Sequence, residues 1–319
     1  MTALEVKKSI EDAEVFELPE PKDKHRLKVV NIADLLAMDI PPREYLLHPV
    51  IQQQGLCMVF ARRGVGKTHV GLGIAYAVAS GGEFLKWTAT EPRRVVYIDG
   101  EMPAEAMQGR LAQIVKSSST EPPDASYFRL ITPDLQDCTM PDLSTPEGQA
   151  EIEPHIQGAS LVVVDNLSTL ARSGKENEGE GWLGIQGWAL NLRRQGVSVL
   201  FVHHAAKGGQ QRGTSRREDV LDTVLRLEHP SDYRAEDGAR FEVHIDKGRG
   251  IFGDDAKSFE AKLAGNVWSF KDLDDAQYIR VVELSKDGMT VRDIAEETGI
   301  SKSTVNRMQK KARADGEID

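Results

Sequence analysis

The chain has 319 residues, with 40 lysines and arginines against 50 aspartates and glutamates, for a formal net charge of −10. That balance excludes a general polyanion binder, so any nucleic-acid contact must come from local basic patches. Cys57 and Cys138 are the only two cysteines, too few for a disulfide framework or a metal site. With no apolar run of membrane-spanning length and no signal-peptide core after Met1, the expectation is a soluble, cytoplasmic protein.

In chain order, residues 1–28 are polar, of mixed charge, and hold Pro19 and Pro21, which predicts a flexible arm. Ile32, Leu35, Leu36 and Met38 predict a short helix, followed by an extended lead-in from Pro41 to Tyr45. Apolar strands are then predicted at Leu56–Phe60, Val95–Ile98, Tyr127–Ile131, Leu161–Val164 and Val197–Val202. Helical patterns fall at His69–Ala79, Met102–Lys116 and Trp182–Gln195. Continuous Val/Ile/Leu strands alternating with helices indicate an α/β fold, with a mainly parallel sheet covered on both faces. After Lys207 the pattern changes to short strands at Val220–Leu227, Phe241–Asp246, Phe259–Leu263 and Asn266–Phe270. These predict an antiparallel extension of the sheet. The acidic run Lys271–Asp275 marks a boundary, beyond which the tail reads as helical and separate. The expected organisation is an arm and lead-in over 1–48, an α/β nucleotide-binding domain over 49–271 and a small all-α domain over 275–319.

The most specific motif is Ala61-Arg-Arg-Gly-Val-Gly-Lys-Thr68, set between a strand and a helix. A glycine-rich loop of this kind turns backbone N–H groups toward phosphate, and the helix N-terminus adds its positive dipole end. The binding segment is Arg63, Gly64, Val65, Gly66, Lys67, Thr68 and His69. Lys67 supplies charge to the β- and γ-phosphates and the Thr68 hydroxyl can ligate Mg²⁺, so the ligand expected is ATP with Mg²⁺. The usual first glycine of the motif is Ala61, which predicts an altered or mildly strained start to the loop.

Three strand ends complete the site. Leu161-Val-Val-Val-Asp165 places an aspartate where Mg²⁺ is held, and Val95-Val-Tyr-Ile-Asp-Gly-Glu101 places Glu101 where a general base polarises the attacking water. Phe201-Val-His-His204 offers a histidine donor toward the γ-phosphate, with His204 preferred to His203. The loop Lys207–Arg217 that follows is basic and small-residue-rich, with Lys207, Arg212, Arg216 and Arg217 suited to a nucleic-acid backbone. Arg172 and Lys175 offer a second such loop. Lys247 and Arg249 stand at a hairpin tip, where cations can reach a neighbouring subunit's γ-phosphate in an oligomeric ATPase.

Thr290 to Met308 places Ile294, Ile300, Val305 and Met308 at helix-turn-helix spacing, with Ala295 at the crossing and Gly299 in the turn. The second helix, about Ser301 to Arg313, carries five cations and no acid, and Ser303, Thr304 and Arg307 lie in its N-terminal half where DNA contacts are made.

Taken in this order, the phosphate loop, Tyr97-Ile-Asp-Gly-Glu101-Met, Val162-Val-Val-Asp165, Val202-His-His-Ala-Ala-Lys207, Arg212-Gly-Thr-Ser215 and Lys247-Gly-Arg249 resemble the RecA-like P-loop ATPases of the plasmid RepA hexameric helicase group, near the DnaB-type replicative helicases. The likeness covers about residues 40–270. It implies a homo-oligomeric ring of six with ATP at subunit interfaces. Lys67, Thr68, Asp165, Glu101 and His204 would act in one subunit and Lys247 and Arg249 in the next. The loop Lys207–Arg217 would meet single-stranded DNA in a central channel. The function expected is a DNA helicase of a plasmid, phage or mobile element. The alternative is an ATP-dependent helix-turn-helix DNA-binding regulator that does not unwind.

Overall fold

The computed structural model describes residues 28–172, 178–205 and 219–318. The described residues fall into two compact units, one ending at Pro42 and the other beginning at Arg43. The first holds one short helix, α1 (Ile32–Ala37), where the sequence predicts it; Asn31 caps it by accepting the Asp34 N–H.

The second unit is built on a nine-stranded sheet. The hairpin β1 (Tyr45–Leu47) and β2 (Ile51–Gln52) leads into β3 (Leu56–Ala61), and a second small hairpin is formed by β4 (Glu83–Phe84) and β5 (Trp87–Thr88). The large sheet adds β6 (Val95–Asp99), β7 (Phe128–Ile131), β8 (Leu161–Asp165), β9 (Ser198–His204), β10 (Thr223–Glu228), β11 (Arg240–Gly248), β12 (Phe259–Ala264) and β13 (Val267–Asp272). Its order is β13-β12-β11-β10-β3-β9-β8-β6-β7. The strands from β10 to β7 are parallel, and β11, β12 and β13 continue the sheet antiparallel.

One strand differs from expectation. The Val220–Leu227 segment reads as the start of the antiparallel extension, but β10 pairs parallel with β3, Thr223 opposite Cys57 and Leu227 opposite Ala61. It pairs antiparallel only on its other edge, with β11. Val224, Leu225 and Leu227 are buried, so both faces of β10 are covered as in a central parallel strand. Its side chains do not distinguish the two pairings, which is why the sequence pattern could not.

The sheet separates two cores. In β3, Cys57, Val59 and Ala61 enter one core and Leu56, Met58 and Phe60 the other, which is the period-2 alternation of a strand buried on both sides. Helix α2 (Lys67–Ser80) lies in the first core and is buried from Val70 to Ser80. Its Gly and Ala residues let the helix approach the sheet closely, the two glycines at a cost in helix propensity. Helix α3 (Ala104–Ser117) follows β6, and the second core takes up α4 (Pro146–Ile156), the short α5 (Leu167–Leu170) and α6 (Glu178–Arg194). Helix α4 is legible in hindsight from Thr145, which caps it, and Pro146 in its first turn. Glu151, Glu153 and Pro154 mask its apolar side.

The tail forms three helices, α7 (Leu273–Lys286), α8 (Val291–Thr298) and α9 (Lys302–Ala314). Their core is Val281, Leu284, Ile294, Val305 and Met308, with Ala295 and Ile300 against it. Thr290 and Asp293 form a capping box at the start of α8, Gly299 ends it at φ 70°, and the Ser301 hydroxyl caps α9 through the Thr304 N–H. The tail reads as separate in sequence, yet α7 begins one residue after β13 ends. It is clasped to the sheet domain by charge. Arg280 pairs with Asp232 at 3.7 Å, and the Ser231 hydroxyl donates to the Thr298 carbonyl at 2.9 Å. Among the described residues no helix is long and apolar enough to cross a membrane.

Candidate nucleotide site

At the carboxyl ends of β3, β6, β8 and β9 the structure opens a cavity of about 750 Å³. Its walls bring together Lys67, Thr68, Glu101, Asp165 and His204, five residues drawn from four separate chain segments. A crevice at the carboxyl ends of parallel strands is where open α/β sheets bind ligands.

The phosphate loop needs little strain. Ala61 is the last residue of β3, paired in register with His204 and buried, and it is not among the residues with positive φ. The altered start expected from an alanine here is therefore an ordinary strand end. Positive φ falls instead on Gly64 (84°) and Gly66 (119°), where glycine is needed. Gly66 is also the N-cap of α2 and carries no side-chain cap, so the first N–H groups of the helix face the cavity without an internal acceptor.

Lys67 is 6% exposed and folds back on the loop, donating to the carbonyls of Ala61 at 3.1 Å and Arg62 at 2.8 Å. Burial lowers its pKa to about 8, against the pull of Asp165 and Glu101. A cation so deeply buried gains by meeting phosphate. Burial and the nearby Arg110 guanidinium likewise lower His69 to about 4, so this imidazole is neutral at physiological pH.

Asp165 is 3% exposed and accepts the Tyr97 hydroxyl at 2.6 Å. Burial raises its pKa, while the hydroxyls of Tyr97 and Thr68 oppose the rise. Thr68 and Asp165 are hard oxygen donors on one side of the cavity. That suits Mg²⁺, which takes one or two protein ligands and completes its shell with phosphate and water. The bare glycine cradle, the buried lysine and this oxygen pair together fit ATP with Mg²⁺.

Glu101 sits in the turn after β6. That turn is held by Asp99, which accepts the Met102 N–H and the Thr132 hydroxyl, both at 3.0 Å. Asp134 accepts the Ala104 N–H at 2.9 Å and secures the start of α3. Of the two histidines ending β9, His204 lines the cavity, while His203 is buried and does not line it.

Lys247 and Arg249 stand elsewhere. In β11, Phe241 lies against Gly66 at the pocket, whereas Lys247 pairs with Val224 near the start of β10. Lys247 lies six steps along the strand from Phe241, about 20 Å at the usual rise. Arg249 meets the Asp222 carboxylate at 3.4 Å and the Asp219 carbonyl at 3.0 Å. Arg172 donates to the Met140 carbonyl. Lys175, Lys207, Arg212, Arg216 and Arg217 lie outside the described residues. On α9, Ser303 and Arg307 are exposed and Thr304 is half-buried; the hydroxyls of Ser303 and Thr304 each lie 2.9 Å from that of Ser301.

The sequence reading missed Asn166, Arg110, Gly238 and Ala239, all of which line the cavity. Gly238 and Ala239 come from the turn before β11 and have no motif of their own. Asn166 carried a readable signal as the polar residue after the strand-end aspartate; its side chain caps α5 by accepting the Ser168 N–H.

Residues 21–210 match the model of the AAA domain family. The chain belongs to that family. It is a P-loop ATPase domain on a RecA-like α/β core, mostly parallel in its sheet, followed by a helix-turn-helix. Residues 277–319 match the model of the homeodomain-like domain. Among solved structures the chain is similar to a KaiC-like protein of the archaeon Pyrococcus horikoshii OT3, at 15% identity and a TM-score of 0.49, over 71% of this chain and 93% of that one.

Proposed function

We propose that this AAA-family ATPase is an oligomeric, ATP-driven DNA motor, a helicase of the plasmid RepA kind, with the ATPase domain at 49–271 and the helix-turn-helix domain at 275–319. The observation that carries the reading is the separation of charges on β11. Lys247 and Arg249 stand at the opposite end of the strands from the cavity of their own subunit, so they can serve phosphate chemistry only at a neighbour's site.

In this reading Lys67 and the α2 N-terminus bind the phosphates, and Thr68 and Asp165 hold Mg²⁺, which offsets charge on the transferring group. Glu101 takes the proton of the attacking water and His204 contacts the γ-phosphate. The partner subunit completes the site with its Lys247 and Arg249. Lys207, Arg212, Arg216 and Arg217 contact single-stranded DNA, and Ser303, Thr304 and Arg307 contact duplex DNA.

A second reading is an ATP-dependent DNA-binding regulator without unwinding. It is favoured by the direct docking of the helix-turn-helix on the ATPase domain through Ser231, Asp232 and Arg280. ATP hydrolysis measured with and without single-stranded DNA, beside Lys67→Ala, separates the two. The motor predicts strong stimulation by single strands that is lost in the variant. Hydrolysis indifferent to single strands overturns the motor and leaves the regulator.

A further inference from the structure

Tyr97 is the one polar-tipped residue in the otherwise aliphatic and acidic strand β6 (Val-Val-Tyr-Ile-Asp), and its side chain is 0% exposed. A buried phenol needs an acceptor, because an unpaired hydroxyl costs free energy in an apolar core. Strand register determines which acceptor it meets. Tyr97 lies opposite Val163, and Asp99 opposite Asp165, so Asp165 is the diagonal neighbour of Tyr97 on the same face, within reach of a long aromatic side chain. The hydroxyl donates to Asp165 Oδ2 at 2.6 Å, a length typical of a charge-assisted O–H···O⁻ bond.

Two further features hold the phenol in place. Phe128 of β7 stacks on the ring at 6.4 Å with an interplanar angle of 18°. On the other side Gly71 of α2 leaves room for the hydroxyl, since a Cβ there would stand 3.0 Å from the Tyr97 oxygen. The ring is therefore set by its neighbours, and the aspartate carboxylate is in turn set by the ring.

We propose that Tyr97 is a positioning residue for Asp165, fixing the rotation of the carboxylate so that it meets Mg²⁺ in one orientation. The proposal rests on the reading of Asp165 as a metal ligand. Groups that orient a ligand from behind typically contribute 10- to 100-fold to metal affinity, and Tyr97 is assigned the lower part of that range.

The test titrates Mg²⁺ into the full-length protein with a fluorescent ATP analogue and follows the tightening of analogue binding. Tyr97→Phe keeps the ring and removes the donor. The expected result is wild-type analogue affinity in EDTA, a melting temperature within a few degrees of wild type, and a Mg²⁺ midpoint raised roughly 10-fold. Hydrolysis should recover at saturating Mg²⁺. Gly71→Ala, which crowds the hydroxyl, should raise the midpoint alone and add nothing in the Tyr97→Phe background. An unchanged midpoint in Tyr97→Phe, with Asp165→Asn shifted, overturns the role of Tyr97 and spares that of Asp165. A loss in Tyr97→Phe of equal size with and without Mg²⁺ overturns it too, because a merely structural role would act that way. An unchanged midpoint in Asp165→Asn removes the metal assignment and the proposal with it. If Tyr97→Phe does not fold, Gly71→Ala decides, and a wild-type midpoint there overturns the proposal.

Discussion

Asp99 and Asp165 stand directly opposite one another at the ends of β6 and β8, both buried. Two like charges at neighbouring strand ends are tolerated because each has its own donors. Asp99 takes the Met102 N–H and the Thr132 hydroxyl, and Asp165 takes the Tyr97 hydroxyl. The division of labour follows from the donors. Asp99 braces the turn that carries Glu101, and Asp165 faces the cavity.

Burial raises the Asp99 pKa to about 6, from 3.8. An acid with a raised folded pKa binds its proton more tightly folded than unfolded, so its contribution to stability falls as pH rises from about 4 to about 6 and is level above that. The melting temperature of Asp99→Asn relative to wild type should therefore climb across this interval and then stay constant. Thermal melts from pH 4 to 8 check the shape, and a difference that is flat throughout would contradict it.

Lys67, with a pKa near 8 in the free protein, should be held protonated by bound phosphate. ATP affinity should then be level below pH 8 and weaken above it, by up to about tenfold per pH unit. Lys67→Arg, charged throughout, should show no such loss. Equilibrium binding of an ATP analogue between pH 7.5 and 9.5 reads the difference, and Lys67→Ala should bind poorly at every pH.

Arg240 gathers three carboxylates, meeting Asp232 and Glu260 at 3.0 Å and Asp237 at 3.2 Å. Arg240→Met leaves those acids facing one another in a partly closed pocket. Removing one side of such a cluster costs about 3 kcal/mol, here moderated by Lys262 and Lys271, which also reach Asp237 and Glu260. Urea unfolding should show that loss, with a smaller one for Glu260→Gln.

Arg307 is exposed on α9, while Val305 and Met308 beside it are buried. If α9 binds duplex DNA, Arg307→Ala should weaken binding and lower the salt slope of log K by about one, as for one lost phosphate contact. ATP hydrolysis without DNA should be unchanged. Val305→Ala acts differently, costing about 2 kcal/mol of core packing in the tail and lowering helix-turn-helix stability first.

What the sequence determined by itself is what local chemistry encodes. The phosphate loop, the strand ends at Asp99, Asp165 and His204, and the helix-turn-helix spacing with Gly299 in its turn are all written in residues close to one another. Each needs a particular backbone geometry or a particular periodicity. Tertiary structure decided what depends on strand order and register. It placed β10 parallel to β3, brought Gly238 and Ala239 to the cavity, put Lys247 and Arg249 at the end of the strands away from the cavity, and set Tyr97 diagonally behind Asp165. It also closed the gap between the sheet and the tail through Arg280 and Asp232. A side chain's type says which face it prefers, but its partner across the sheet is chosen by the pairing of strands far apart in the chain, and no local pattern carries that information.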